Sequence, residues 1–180
     1  GAPPENSETV YKPKSVIIAT GSVPIALPFL PFDEERVLSN TGALSLATVP
    51  EKLIVVGGGV IGVELGSVWR RLGAKVTIIE LLPTILAGYD AELSREAEKT
   101  FRKQGLDIRT STKVTGARRE GDRMLVDVEK DGVKETLDAD HVLVSVGRRP
   151  SLSGIDAKAL GLALGPRGEI TVDDQMRTNL

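Results

Sequence analysis

An α/β fold, built on a parallel sheet with an antiparallel β-meander set into one crossover, follows from three features of this 180-residue sequence. Between Leu53 and Glu80 an apolar β-branched run breaks at Gly57-Gly58-Gly59, resumes with helical spacing at Ile61, Leu65, Val68 and Leu72, and stops at Gly73. A second β-branched run, Val76 to Ile79, completes a strand-helix-strand unit. Farther on, three strand-like segments (113–120, 123–130 and 133–137) are separated by the tight-turn pairs Gly121-Asp122 and Asp131-Gly132. His141 to Val146 then returns to the buried parallel-strand pattern.

Taken in order, residues 1–12 are rich in Pro and polar side chains and read as a loop or edge segment. Ser15 to Ala19 is expected to form a short strand, stopped by Thr20-Gly21-Ser22-Val23-Pro24. Pro28, Pro31 and Asp33-Glu34-Glu35 make residues 24–36 an irregular crossing, and residues 40–46 form a short helix before Pro50. After Glu80, Pro83 and Gly88 mark a loop, and Asp90 is placed to cap the next helix. That helix is expected to turn Leu93, Ala97, Phe101 and Gln104 to one side, with Arg95, Glu96, Glu98 and Lys99 outward, and to stop at Gly105. Residues 107–109 add a short strand to the parallel sheet. In the middle strand of the meander Met124, Val126 and Val128 alternate with Leu125, Asp127 and Glu129, so one face is apolar. Gly147 to Pro150 breaks the last parallel strand. The tail, 151–180, mixes small turns with an expected strand, Glu169 to Val172.

The chemistry sits at the first strand-to-helix turn, where Gly57-x-Gly59-x-x-Gly62 has a mechanism. Gly57 permits the tight turn, Gly59 leaves no side chain between a pyrophosphate and the backbone, and Gly62 lets the helix pack closely on the strand. The N–H groups of the helix's first turn and its dipole favour phosphate. Gly66 extends the close-packing face. Glu80 follows about 20 residues after the glycines, at the end of the second strand, where an acidic residue is expected to bond the ribose hydroxyls. Its carboxylate repels a 2′-phosphate, and residues 81–90 contain no Lys or Arg to hold one, so NAD is favoured over NADP. The plainer alternative is a polar strand end beside a tight loop. Gly147 has two local readings, an ordinary turn or bare backbone brought close to a cofactor at a strand's carboxyl end.

Composition excludes other classes. The net charge of −2 leaves no footprint for nucleic acid, and Arg70-Arg71 and Arg118-Arg119 read as solvated faces. No apolar run approaches a membrane span and no signal-peptide core is present, which points to a soluble, intracellular protein. The chain has no cysteine, hence no disulfide or thiol catalysis of its own. Its single His141 reads as a strand-start residue, Trp69 as a packing residue, and no His, Asp and Glu cluster has metal spacing.

The segments IIATGSVP (17–24), TGALSL (41–46), VPEKLIVVGGGVIGVELGSVWRRLGAKVTIIE (49–80), TKVTGA (112–117) and VGRRP (146–150) together resemble the dihydrolipoamide dehydrogenases, within the pyridine nucleotide-disulphide oxidoreductases. The resemblance implies a Rossmann-like, three-layer FAD/NAD(P)-binding fold. It also implies a division into 1–22 as a flanking strip of an FAD domain, 23–149 as the NAD-binding domain, and 150–180 as a returning strip. The implied activity oxidises dihydrolipoamide through a disulfide and FAD, with NAD as acceptor, in a homodimer serving a 2-oxo acid dehydrogenase complex and its lipoyl domain. By resemblance Gly57, Gly58, Gly59, Val60, Ile61, Gly62 and Val63 hold the NAD pyrophosphate and Glu80 its ribose. Val114 contacts adenine, Gly147 makes a further NAD contact, and Thr20, Gly21 and Ser22 touch FAD. Glu64 has two readings: a first-turn carboxylate worth about 0.3–1 kcal/mol to the helix, or, by resemblance, a group beside the nicotinamide and flavin.

The family's CxxxxC pair, first FAD fingerprint, flavin-binding Asp and His-Glu pair are missing here. No catalytic residue is therefore assigned within this chain, which reads as a nucleotide-binding fragment. The alternatives are another FAD-dependent NAD(P)H reductase and a stand-alone, non-catalytic nucleotide-binding module.

Overall fold

A computed structural model describes residues 10–180; part of the loop expected over residues 1–12 lies outside them. The chain separates into two compact units, Val23–Arg149 and a second joining the segment up to Ser22 with Pro150–Leu180. The chain passes between them through paired strands β1 (Ser22–Pro24) and β10 (Arg148–Pro150).

The unit Val23–Arg149 holds a five-stranded parallel sheet. Its strands are β2 (Val37–Leu38), β3 (Lys52–Val56), β4 (Lys75–Ile79), β5 (Asp107–Arg109) and β9 (His141–Val144), in the order β2-β9-β3-β4-β5. Helices α1 (Asn40–Leu44), α2 (Val60–Leu72) and α3 (Ala91–Lys103) contribute to the core on one face. The meander β6 (Lys113–Glu120), β7 (Arg123–Lys130) and β8 (Val133–Ala139) covers the other. The alternation along β3 shows the layering. Leu53 and Val55 pack with Val63, Leu65 and Trp69 of α2, whereas Ile54 and Val56 pack with Met124, Val126 and Val128 of the meander. A parallel strand covered on both faces needs apolar residues on both, which is why 53–56 of β3 and 142–144 of β9 read as unbroken apolar runs. Burying such side chains stabilises the fold by about 1.5–3 kcal/mol each.

From β3 the chain winds outward through α2, β4, α3 and β5, then crosses by the meander to β9 on the other side of β3. That reversal makes a crevice outside the carboxyl ends of β3 and β9. A charged clamp ties the meander down at the opposite ends of the strands. Lys52, which opens β3, pairs with Asp138 at 2.8 Å, Arg123 of β7 pairs with both Asp138 and Asp140, and Asp140 accepts the Lys52 N–H at 2.8 Å. The Lys52 ammonium, then the Arg123 guanidinium, hold the Asp138 carboxyl down to about 2.

Six expectations need correction. Ser15 to Ala19 carries no strand pairing among the described residues and leaves Ile17 90% exposed, since a strand without a neighbour has no ladder for its backbone groups. Just past the irregular crossing, Val37–Leu38, for which no element was expected, joins the parallel sheet beside β9. On α3 the buried residue is Ser94, whose hydroxyl donates to the Leu86 carbonyl at 3.0 Å; of the expected face Phe101 packs against the core, whereas Leu93 and Gln104 are exposed. The break after β9 contains strand β10, paired with β1. In the tail, Glu169 to Val172 makes only one bridge, Leu164 to Ile170. Finally, α2 begins at Val60, so Glu64 lies beyond its first turn, which holds no acidic residue. The dipole effect fades within that turn, and the stabilising reading of Glu64 goes with it. Among the described residues no helix is long and apolar enough to cross a membrane.

Candidate functional site

The glycine turn is built by contacts that no side chain would survive. Gly57 has φ +109°, donates to the Ile79 carbonyl at 2.8 Å, and would place a Cβ 2.5 Å from the Ser145 carbonyl oxygen. A Cβ on Gly62 would overlap the Gly57 carbonyl oxygen and lie 2.8 Å from Ser145 Oγ. Ser145 follows β9 and secures the turn, its N–H donating to the Val56 carbonyl at 2.8 Å and its hydroxyl facing the carbonyls of Val56 (3.2 Å) and Gly57 (3.1 Å). Nothing in the sequence pattern singled Ser145 out, because it reads as one polar residue in a strand.

Gly59 differs from its neighbours. It is exposed, its φ of −74° suits any residue, and nothing lies within 4 Å of where its Cβ would be. As the N-cap of α2 it offers no side chain to the helix's first N–H groups, which are left for a ligand. A bare backbone, open N–H groups and a positive helix end form a cradle for an anionic group such as a pyrophosphate.

Glu80 closes the cradle from the end of β4. One carboxylate oxygen accepts the Gly58 N–H at 2.6 Å and the other the Leu82 N–H at 2.8 Å. The Gly58 carbonyl in turn accepts the Leu86 N–H at 2.9 Å, and Ile85 is fully buried beneath. Leu86 takes φ +53°, an uncommon conformation for a leucine, stabilised by its bonds to Gly58 and Ser94.

The third wall comes from the meander and β9. A bulge between Val114 and Gly116 shifts the β6-β7 register, and such bulges re-aim side chains. Val114 lines the same space as Glu80 and the glycine turn. Gly147, at φ +140°, lies on the opposite wall, with its carbonyl accepting the Ile25 N–H at 3.1 Å. Arg148 there donates to Asn40 at 3.1 Å.

The result is a cavity of about 820 Å³ at the carboxyl ends of β3, β4 and β9, large enough for a dinucleotide-sized ligand. Of the residues singled out in the sequence, Gly57, Gly58, Gly59, Val60, Ile61, Glu80, Val114 and Gly147 line it together. Gly62 and Val63 are buried under the turn, and Glu64 is exposed outside the lining. Thr20, Gly21 and Ser22 belong to the other compact unit, where the Thr20 hydroxyl donates to the Ser151 carbonyl at 2.5 Å. Sequence reading missed Leu27, Phe29, Asn40 and Lys113, all of which line the cavity. The first three come from or follow an irregular crossing with no periodicity to read. Lys113 qualifies the charge argument, since a cation reaches this wall from β6, and its strand partner Glu129 lies opposite it.

The family model for pyridine nucleotide-disulphide oxidoreductase matches residues 2–180. Dihydrolipoamide dehydrogenase of Chaetomium thermophilum is 44% identical over 179 residues, 98% of this chain and 36% of that protein. Dihydrolipoyl dehydrogenase 3 of Pseudomonas putida is 45% identical over 166 residues, 91% of this chain and 36% of that protein. The chain thus spans about a third of the length of these curated relatives. Among solved structures, LpdA of Mycobacterium tuberculosis superposes with a TM-score of 0.79 at 32% identity, covering 89% of this chain and 34% of that one. The HOCl-induced flavoprotein disulfide reductase RclA of Escherichia coli gives 0.77 at 28%, covering 89% and 36%.

Proposed function

The chain belongs to the pyridine nucleotide-disulphide oxidoreductase family, and from that premise we propose that it is the NAD-binding portion of a dihydrolipoamide dehydrogenase. The observation that carries the reading is the convergence of an uncapped helix start, bare Gly59 and the Glu80 carboxylate on one cavity at the sheet's carboxyl ends. Those residues fit NAD. The first-turn N–H groups of α2 take the pyrophosphate, Glu80 takes the adenosine ribose hydroxyls, Val114 borders adenine, and Gly147 admits the nicotinamide half along the opposite wall.

Bound there, NAD+ supplies the hydride acceptor for the oxidation of dihydrolipoamide to lipoamide by way of a disulfide and FAD. The chain's own part is positioning: fixed N–H groups and a fixed carboxylate hold the reactant so that little freedom remains to be lost in transfer. Having no cysteine, it contributes no thiol to that chemistry. On the same reading Val23–Arg149 is the NAD domain, and the second compact unit is made of strips of an FAD domain, with Thr20, Gly21 and Ser22 facing the flavin. The division of the chain at Ser22 and Pro150 supports this. Glu64, an exposed carboxylate one turn into α2, is assigned to the nicotinamide-flavin junction. A homodimer working on the lipoyl domain of a 2-oxo acid dehydrogenase complex, in the cytoplasm or the mitochondrial matrix, completes the proposal. The identities of 44% and 45% to dihydrolipoyl enzymes, against 28% to RclA, favour it over another flavoprotein reductase.

Calorimetric titration of the chain tests the cofactor assignment. NADH is expected to bind more tightly than NADPH, and Glu80→Ala to shrink the difference. Equal affinities in the unmodified chain would defeat the role given to Glu80.

A further inference from the structure

Gly58 is held at both ends of its residue by the segment that follows β4. Its N–H donates to Glu80 Oε2 at 2.6 Å, and its carbonyl accepts the Leu86 N–H at 2.9 Å. The other Glu80 oxygen accepts the Leu82 N–H at 2.8 Å, which ties the carboxylate to its own loop. The fit allows no slack, because a Cβ on Gly58 would meet Ile85 Cγ2 at 2.8 Å and Glu80 Cβ at 3.1 Å.

We propose that Glu80 is a positioning residue for the pyrophosphate turn, bracing Gly58 in the binding conformation before the nucleotide arrives, in addition to any contact with the ribose. A carboxylate has four lone-pair sites on two oxygens. The two backbone N–H groups occupy two of them, and the remaining two are left for a pair of ribose hydroxyls, so the brace persists in the complex. A turn already held in place spares the ordering that would otherwise oppose binding. The Gly58 N–H gains a charge-assisted bond, about twice as strong as one between neutral partners. The binding half of this inference rests on the NAD assignment; the brace itself does not.

Two measurements test it separately. In the nucleotide-free chain, amide hydrogen exchange is followed at Gly58 and Leu82, with Val55 in the sheet core as the internal reference. Relative to Val55, Glu80→Ala is expected to speed exchange at Gly58 by about tenfold to a hundredfold, the loss of a hydrogen bond to a charged acceptor. Glu80→Gln, which keeps one acceptor oxygen, should restore part of that protection. Unchanged Gly58 exchange in Glu80→Ala overturns the proposal, whatever the nucleotide data show. The second measurement is titration with reduced nicotinamide mononucleotide, which lacks the adenosine ribose. Weaker binding to Glu80→Ala than to the unmodified chain supports action through the turn, and equal measurable binding confines Glu80 to the ribose and overturns the preorganisation claim. If the unmodified chain binds neither NADH nor the mononucleotide, the NAD assignment fails, while the exchange result still decides the brace.

Discussion

Replacing Gly59 and Gly62 by alanine, one at a time, separates the two jobs that the glycine turn performs. At Gly59 the new methyl meets nothing within 4 Å and the backbone, at φ −74° and ψ −176°, is open to alanine. Alanine is a poorer N-cap than glycine, but it also restricts the unfolded chain, and the two effects nearly offset, leaving stability within about 1 kcal/mol. The same methyl projects from the cradle, where it holds a pyrophosphate off the backbone. Loss of one charge-assisted hydrogen bond, about 1.5–3 kcal/mol, corresponds to NADH binding weakened by roughly tenfold to a hundredfold. At Gly62 the methyl collides with the Gly57 carbonyl, which is backbone and cannot swing aside. Overpacking of this kind costs about 1–3 kcal/mol, and at about 2–4 °C per kcal/mol for a chain of this size the melting temperature falls by about 2–12 °C. Thermal unfolding followed by circular dichroism and NADH fluorescence titration read the two effects independently. NADH affinity unchanged in Gly59→Ala would refute the placement of the pyrophosphate. An unchanged melting temperature in Gly62→Ala would refute the close approach of helix and strand.

Ser94→Ala removes the hydroxyl that supports the Leu86 carbonyl and is expected to destabilise the chain by about 0.5–1.5 kcal/mol, seen as a lower urea midpoint at unchanged slope; a midpoint equal to that of the unmodified chain would show that the α3 contact does not support the loop. The clamp beneath the meander should appear on the acid side. Because Lys52 and Arg123 hold the Asp138 carboxyl down to about 2 in the folded chain, against about 3.9 unfolded, its contribution is present above about pH 4 and is lost as the pH falls through about 2. Asp138→Asn should therefore flatten the urea midpoint between about pH 4 and pH 2 relative to the unmodified chain, and parallel pH profiles would remove Asp138 from the clamp.

Most of the fold was legible where local chemistry speaks for itself. The meander strands β6 and β7 begin and end where the tight-turn pairs predict, because Gly121 and Gly132 accept φ of +59° and +79° and β-hairpin turns demand such values. The Asp90 cap accepts the Glu92 and Leu93 N–H groups as a helix start of that kind requires. Failures occurred where pairing or rotation depends on distant partners. Val37–Leu38 is too short to signal a strand, yet β9 supplies its ladder. Hydrophobicity turns Leu93 inward, but Ser94 is the residue buried, its hydroxyl donating to a carbonyl 8 residues away.

By itself the sequence determined the strand-helix-strand unit, its three fingerprint glycines and the acidic strand end, because helical period, left-handed backbone and chain reversal are decided within a few residues. Only the tertiary structure decided that Ser145 closes the turn from β9, that Lys113 and Phe29 share the cavity with Glu80, and that the Glu80 carboxylate grips Gly58. These relations join segments 22 to about 90 residues apart. Which atoms then meet depends on the packing of both sheet faces, and no local periodicity carries that information.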